Sequence, residues 1–284
     1  MPSKPRLGQN FLCDAQAADR IVAALGDLSG RTVVEIGPGR GAITEELAAR
    51  AGHVLAVEFD PGLAAGLRSR LPAERVTVVE QDVLEFDFAA AASQAGERLR
   101  VAGNLPYYIT SPILLKLAEN HAALQTAVLM VQREVADRVT AAPGSRDYGI
   151  LSVTVQMHGP AEPLFTLPPS AFSPPPEVHS AVFRWRFAPR FVELGIEPVS
   201  FQRLVRQAFA QKRKTLANNL RAAGMSAHAA AAGLEAAAID PQARAESLPI
   251  NTLAALWRAL FAAGTLPGAG GAPSRSAGSD SGLS

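Results

Sequence analysis

Thr32-Val-Val-Glu-Ile-Gly-Pro-Gly-Arg-Gly41 is the stretch on which the fold turns. Four of its first five residues are β-branched, and such a run reads as a strand buried on both faces. The Gly-Pro-Gly-Arg-Gly turn lets the backbone reverse sharply and approach a ligand closely. Helical patterning over Ala42–Ala51 follows at once. A strand, a glycine turn and a helix in that order make the opening unit of a nucleotide-binding α/β domain.

Outward from this unit the same alternation continues. His53–Glu58, Val76–Glu80, Leu99–Ala102 and Ala127–Val131 read as strands, with helices over Gly62–Leu71, Pro112–Asn120 and Arg133–Thr140. Asp60-Pro61 and Ser111-Pro112 place proline at or near a first helical turn, where its missing N–H costs nothing. This pattern predicts a doubly wound, mostly parallel sheet. Tyr148–Met157 reads as one more helix. Pro163–Leu167 and Ala181–Phe187 flank the proline-rich loop Pro168–Pro176 and predict a hairpin-like pair that ends the sheet with an antiparallel strand. From Pro198 onward the spacing is helical throughout, as in Phe201, Leu204, Val205 and Phe209. The expected organisation is therefore an α/β domain over residues 1–188, a small all-α domain over 189–263, and a Gly/Ser/Ala-rich tail over 264–284 that is expected to be disordered.

Composition narrows the function classes. Of 284 residues, 48% are apolar, which supplies a core, yet no apolar run approaches the ~18 residues that cross a bilayer. Met1-Pro-Ser-Lys-Pro-Arg6 has no adjoining apolar segment, which argues against a secretory signal. Cys13 is the single cysteine, so an intramolecular disulfide and a cysteine-built zinc site are excluded, and a cytoplasmic location is expected. The five histidines show no metal-ligand spacing, and no metal is expected. The absence of an exposed apolar stripe points to a monomer. Net charge is only +1, but between Arg184 and Arg221 nine basic residues face two acids, Glu193 and Glu197. Such a run attracts polyanions even on a nearly neutral chain, although charge runs are more often solvated helix faces.

Three carboxyl or amide groups fall at successive strand ends. Glu58 closes the second strand, 21 residues after Gly37, where a carboxylate accepts both hydroxyls of a ribose. Asp82 follows the third and is placed to accept from an adenine amino group. Asn104-Leu105-Pro106-Tyr107 follows the fourth. An Asn side-chain oxygen and a backbone carbonyl, assigned to Pro106, can grip a planar amine while the Tyr107 ring stacks on the base. Gly37-x-Gly39-x-x-Ala42 with Glu58 also satisfies the loose dinucleotide fingerprint, so an NAD-dependent oxidoreductase stays open on this motif alone. Asp82 and the Asn104 segment tilt the reading to S-adenosylmethionine.

Five segments in order, Leu7-Gly-Gln-Asn-Phe-Leu12, Glu35–Gly41, Asn104–Tyr107, Phe172-Ser-Pro-Pro-Pro-Glu-Val-His-Ser180 and Gln211-Lys-Arg-Lys-Thr-Leu216, resemble the ribosomal RNA adenine dimethyltransferases. The likeness runs from about Lys4 to Ala263. It implies a Rossmann-like class I S-adenosylmethionine methyltransferase domain, a helical RNA-binding domain, and dimethylation of N6 on two adjacent adenines near the 3′ end of 16S rRNA in an immature 30S subunit. By motif it implies cofactor contacts from Asn10, Leu12, Gly37, Gly39, Glu58, Asp82 and Asn104. It also implies stacking of Phe172 on the face of the adenine opposite Tyr107, and phosphate contacts from Lys212, Arg213, Lys214 and Arg221 in what reads as a basic helix start. The same motifs serve a large-subunit rRNA methyltransferase conferring macrolide resistance. An assembly factor acting mainly by binding is a further alternative.

Overall fold

The computed structural model describes residues 10–266. The first nine residues, including Leu7-Gly-Gln of the first motif, and the tail from residue 267 lie outside the described residues. The chain divides into two compact units, one ending at Arg190 and one beginning at Phe191.

The first unit runs β1 (Phe11–Leu12), α1 (Ala15–Ala23), β2 (Thr32–Ile36), α2 (Ala42–Arg50), β3 (His53–Glu58), α3 (Pro61–Arg70), β4 (Val76–Glu80), α4 (Phe88–Ala95) and β5 (Leu99–Asn104). It continues with α5 (Thr110–Glu119), β6 (Leu124–Gln132), α6 (Arg133–Thr140), α7 (Ile150–Met157), β7 (Ala161–Leu167), β8 (Phe172–Ser173) and β9 (Ser180–Arg186). Seven strands form one sheet in the order β4-β3-β2-β5-β6-β9-β7. The first five are mutually parallel, while β9 runs antiparallel between β6 and β7. The expected hairpin pair thus closes the sheet. A separate antiparallel pair, β1 with β8, joins Phe11 to Ser173 and Leu12 to Phe172, and nothing in the sequence pattern foretold it.

Strand alternation fills both faces. Val34 and Ile36 of β2 and Ala127, Leu129 and Val131 of β6 enter one core, roofed by residues such as Ile113 and Leu117 of α5 and Val155 of α7. Val33, Val128 and Met130 enter the other, roofed by Ile21 and Val22 of α1 and Ile43 and Leu47 of α2. Helices on both faces make the three-layer arrangement of a doubly wound sheet. The chain lays down β2, β3 and β4 toward one edge, then returns to place β5 on the other side of β2. Ligands bind at the carboxyl ends of the strands at such a reversal. Gly103, one residue before the end of β5, lets the two strands close up there: a Cβ on it would lie 2.7 Å from the Ile36 carbonyl oxygen.

The second unit is entirely helical among the described residues: α8 (Phe191–Leu194), α9 (Pro198–Ala208), α10 (Leu216–Ala222), α11 (Ala227–Ala236) and α12 (Ile250–Ala262). Its core holds Phe201, Leu204, Leu220, Leu234, Leu253 and Trp257, all buried. The Thr265 N–H closes α12 on the Leu260 carbonyl, and Leu266 is 5% exposed, so ordered packing extends past the Ala263 boundary expected from composition.

Candidate active site

A cavity of about 540 Å³ opens at the reversal between β2 and β5. Its wall includes Asn10, Leu12, Gly37, Gly39, Glu58, Asp82 and Asn104, the whole set implied for the cofactor, together with Pro106 and Tyr107. Phe11, Glu35, Arg40, Phe59, Leu105 and Tyr108 line it too, and none of these had been assigned a role.

Glu58 is 3% exposed at the end of β3. Its Oε2 accepts from the Gly39 N–H at 3.0 Å and its Oε1 from the Asp60 N–H at 2.9 Å. A carboxylate has about four lone-pair sites, so each oxygen keeps one for a ribose hydroxyl while the acid fixes the glycine turn. The other glycine amides are engaged as well: Gly37 N–H donates to the Val57 carbonyl and Gly41 N–H to that of Pro38. A dinucleotide turn leaves such groups for a pyrophosphate. Here they are consumed within the protein, and the turn presents shape rather than a phosphate cradle. Gly39 has φ 56°, and a Cβ on it would strike the Phe11 ring at 2.9 Å. The Arg40 guanidinium lies 4.5 Å over the same ring. Asp82 Oδ1 accepts from the Leu84 N–H at 2.9 Å, which orients the acid and leaves Oδ2 for a ligand.

Asn104 is the last residue of β5, and its Nδ2 donates to the Asn10 carbonyl at 3.0 Å. That bond fixes the amide and leaves Oδ1 as a free acceptor among the described residues. The backbone acceptor beside it differs from expectation. The Pro106 carbonyl accepts from Thr110 Oγ1 at 3.0 Å and from the Ile109 N–H at 3.2 Å. Its two lone pairs are spent closing the 3₁₀ turn over Tyr107–Ile109. The carbonyl without a donor among the described residues belongs to Leu105, whose N–H is held by the Met130 carbonyl at 2.9 Å.

The tyrosines stand at this wall. Tyr107 is half-buried, its hydroxyl 3.0 Å from Ser180 Oγ at the start of β9. Tyr108 is 60% exposed. Phe172 is not where the motif put it: it is 3% exposed, packs in the core beside α1 and does not line the cavity. The Phe172–Ser180 motif instead braces the site from behind, pairing with Leu12 at one end and tethering Tyr107 through Ser180 at the other.

In the second unit, Lys212, Arg213 and Lys214 are exposed in the turn ahead of α10 rather than in a helix, and Arg221 is exposed within α10. The turn is stitched by Asn219, 3% exposed, whose Nδ2 donates to the carbonyls of Ala208 at 2.7 Å and Gln211 at 3.2 Å and whose Oδ1 accepts from the Gln211 N–H at 3.1 Å. The long basic run is divided between the two units, however. Arg184 and Arg186 sit on β9 of the first unit and pair with Glu162 at 2.6 and 3.2 Å.

This geometry has close counterparts. The family described as ribosomal RNA adenine dimethylase matches residues 2–260. The chain belongs to that family. A ribosomal RNA small subunit methyltransferase A of Acidobacterium capsulatum is 58% identical over 258 residues, spanning 90% of this chain and 91% of that one. Among solved structures, a dimethyladenosine transferase of Plasmodium falciparum superposes with a TM-score of 0.75 at 23% identity, covering 90% of this chain and 98% of that one. The 23S rRNA methyltransferase ErmE gives a TM-score of 0.68 at 26% identity, covering 89% of this chain and all of that one. The fold is thus a Rossmann-like methyltransferase domain followed by helices, and the chain is an rRNA adenine dimethyltransferase.

Proposed function

We propose that this chain methylates adenine N6 twice on each of two adjacent adenines in the 3′-terminal hairpin loop of 16S rRNA, acting as a monomer on an immature 30S subunit with S-adenosylmethionine as donor. One observation carries the reading: Asn104 Oδ1 and the Leu105 carbonyl, two acceptors without donors among the described residues, share a wall with the Tyr107 ring and with the acids Glu58 and Asp82. The donor set fits a nucleoside lacking phosphates, since two acids are placed for its ribose and base while the glycine amides are already satisfied. Asn10, Leu12, Gly37, Gly39, Glu58 and Asp82 would hold S-adenosylmethionine, which when bound supplies a methyl group on positively charged sulfur.

The adenine amino nitrogen is a poor nucleophile because its lone pair is delocalised into the ring. By accepting its two N–H bonds, Asn104 Oδ1 and the Leu105 carbonyl draw the nitrogen toward a pyramidal shape and stabilise the positive charge that grows on it. No strong base is needed, because the proton can leave to water once that charge has formed. Tyr107 offers a stacking face held in place by Ser180. A loop adenine is already unpaired and costs less to extract than one in a duplex. Lys212, Arg213, Lys214 and Arg221 contact phosphates, which adds affinity without sequence choice.

Substrate choice follows the relatives. The small-subunit methyltransferase of A. capsulatum shares 58% identity with this chain and the 23S enzyme 26%, which supports the small subunit. The decisive experiment incubates the purified protein with radiolabelled S-adenosylmethionine and with small or large subunits from cells lacking both modifications. Dimethyladenosine on the small subunit is expected. Label only on the large subunit would overturn the substrate assignment. Replacing Lys212, Arg213 and Lys214 by Ala should reduce the slope of log affinity against log salt by about 2–3.

A further inference from the structure

Glu35 takes no part in the reaction above, yet it is the most unusual side chain in the first unit. It is an acid inside β2, a strand otherwise buried on both faces, and its main-chain neighbours across the sheet are Ala56 and Ala102. It is 1% exposed. Among the described residues neither its Oε2 nor the Thr44 Oγ1 has a hydrogen-bond partner. Glu35 nevertheless lines the cavity. A buried, unsatisfied carboxyl is costly, and a strand built only for packing would carry Val or Ile at this position.

The surrounding charges suggest what the cost serves. From β3 comes Glu58, from the segment after β4 Asp82, from the turn before α2 the exposed Arg40; α2 itself contributes the Thr44 hydroxyl and β5 the uncharged Asn104. Burial and the Glu58 carboxylate push the Glu35 carboxyl up to about 8 against the opposing influence of Thr44. At neutral pH it therefore holds its proton. The strand order fixes which part of a ligand comes near. With the base at Asp82 beyond β4 and the ribose at Glu58 on β3, the remaining end of the donor lies over β2 and β5, where Glu35 stands. That end is an amino acid carrying an ammonium.

We propose that Glu35 is the proton-coupled counter-charge for this ammonium, a neutral acid while the cavity is empty and a carboxylate once the cation is bound. The inference rests on the donor reading given above. The carboxyl O–H bond breaks, its electron pair stays on oxygen and the proton passes to solvent; no bond to the ligand forms. Within a low-dielectric wall a nearby cation favours the ionised acid strongly.

Calorimetric titration of the full chain at pH 6.8, in buffers of different ionisation enthalpy, counts the protons exchanged on binding. Close to one proton should be released per S-adenosylmethionine and per S-adenosylhomocysteine, both of which carry the ammonium. 5′-Methylthioadenosine, which lacks the amino-acid end, should bind with no release. Glu35→Gln should bind S-adenosylmethionine without release and at least tenfold more weakly. Binding by the wild type with no release, equal release in the Gln variant, or equal release with 5′-methylthioadenosine would overturn the proposal. Release with S-adenosylmethionine alone would make the sulfonium the relevant cation and overturn the ammonium assignment. Failure of all three nucleosides to bind would instead sink the donor reading itself.

Discussion

At the carboxyl edge of the parallel sheet, Glu35, Asn104 and Leu105 present an acid oxygen, an amide oxygen and a carbonyl that no described protein group satisfies. At the amino edge, polar groups are mostly tied to the backbone. His158 is 3% exposed and its Nδ1 meets the Thr154 carbonyl at 2.7 Å, while Arg98 Nη2 donates to the carbonyls of His121 and Phe187 at 3.3 and 2.9 Å. Among the described residues the amino edge has two orphans, Trp185 Nε1 and Arg100 Nη1; Trp185 lies among the rings of His158 and Phe187, and neither residue lines the cavity. Burying a polar atom without a partner costs a kilocalorie or more wherever it occurs. Among the described residues it is at the carboxyl edge that the cost coincides with a cavity of about 540 Å³ that a ligand can fill. Substitutions at that edge should therefore change turnover, and those at the other should change stability.

Asn104→Ala is the sharpest test of the first half. It removes one of two acceptors aimed at the developing charge, and turnover should fall about 10²–10³-fold, or about 2.7–4 kcal/mol in the barrier. Folding loses only the bond to the Asn10 carbonyl, so thermal denaturation should show a drop in Tm of no more than about 4 °C. A variant with near-wild-type turnover would break the assignment.

Tyr107 divides the ring from its tether. Tyr107→Ala removes the stacking face, and single-turnover rates should fall about 10–100-fold. Tyr107→Phe keeps the ring and loses only the link to Ser180, so it should retain most of that rate. If Phe were as damaging as Ala, the hydroxyl and not the ring would be what the site uses.

Trp185→Phe probes the opposite edge. Trp185 is fully buried, and shortening the ring leaves a small cavity while abolishing the orphan N–H, effects of opposite sign. A net loss of about 1 kcal/mol and a Tm lower by about 2–4 °C are expected, with methylation per folded molecule unchanged below the transition. Lost turnover at full foldedness would mean that the two edges communicate.

The division between these edges was only partly legible beforehand. The strands β2, β3 and β4 stand at their expected bounds because continuous β-branched runs between breakers admit few other readings. Helices α1 and α4 escaped notice, being rich in alanine, which packs without marking a face. The pair β1 and β8 spans two residues per strand, too short for any periodicity. Glu58, Asp82 and Asn104 could be named because strand ends are where such folds keep their acceptors. Which backbone carbonyl stays free could not be read, because it depends on how the 3₁₀ turn spends the Pro106 oxygen. The burial of Phe172 depends on a strand pairing across 160 residues. Glu35 did leave a signal, a lone acid inside an apolar strand, and burial on both faces gives that signal its meaning.

The last effect is set by pH and separates two buried titratable groups, Glu35 and His158. Burial holds His158 below the usual histidine range, outweighing its bond to Thr154, with His121 adding to the depression. The folded protein therefore keeps His158 neutral at a pH where the unfolded chain, near 6.5, binds a proton. Unfolding takes up that proton, so the stability His158 contributes is present above pH ~6.5 and is lost as pH falls toward its folded value. Glu35 acts with the opposite sign. Its carboxyl is raised, so its contribution is complete below the unfolded value near 4.5 and lost as pH rises toward about 8. Between pH 5 and 6.5 the two slopes oppose each other, at up to about 1.4 kcal/mol per pH unit each. Removing one at a time separates them: in His158→Gln, Tm should rise as pH falls from 6.5 to 5.5 relative to the wild type, and in Glu35→Gln it should fall. If both variants tracked the wild type across that window, neither group would be held away from its ordinary titration. The contrast between the two edges would then rest on hydrogen bonding alone.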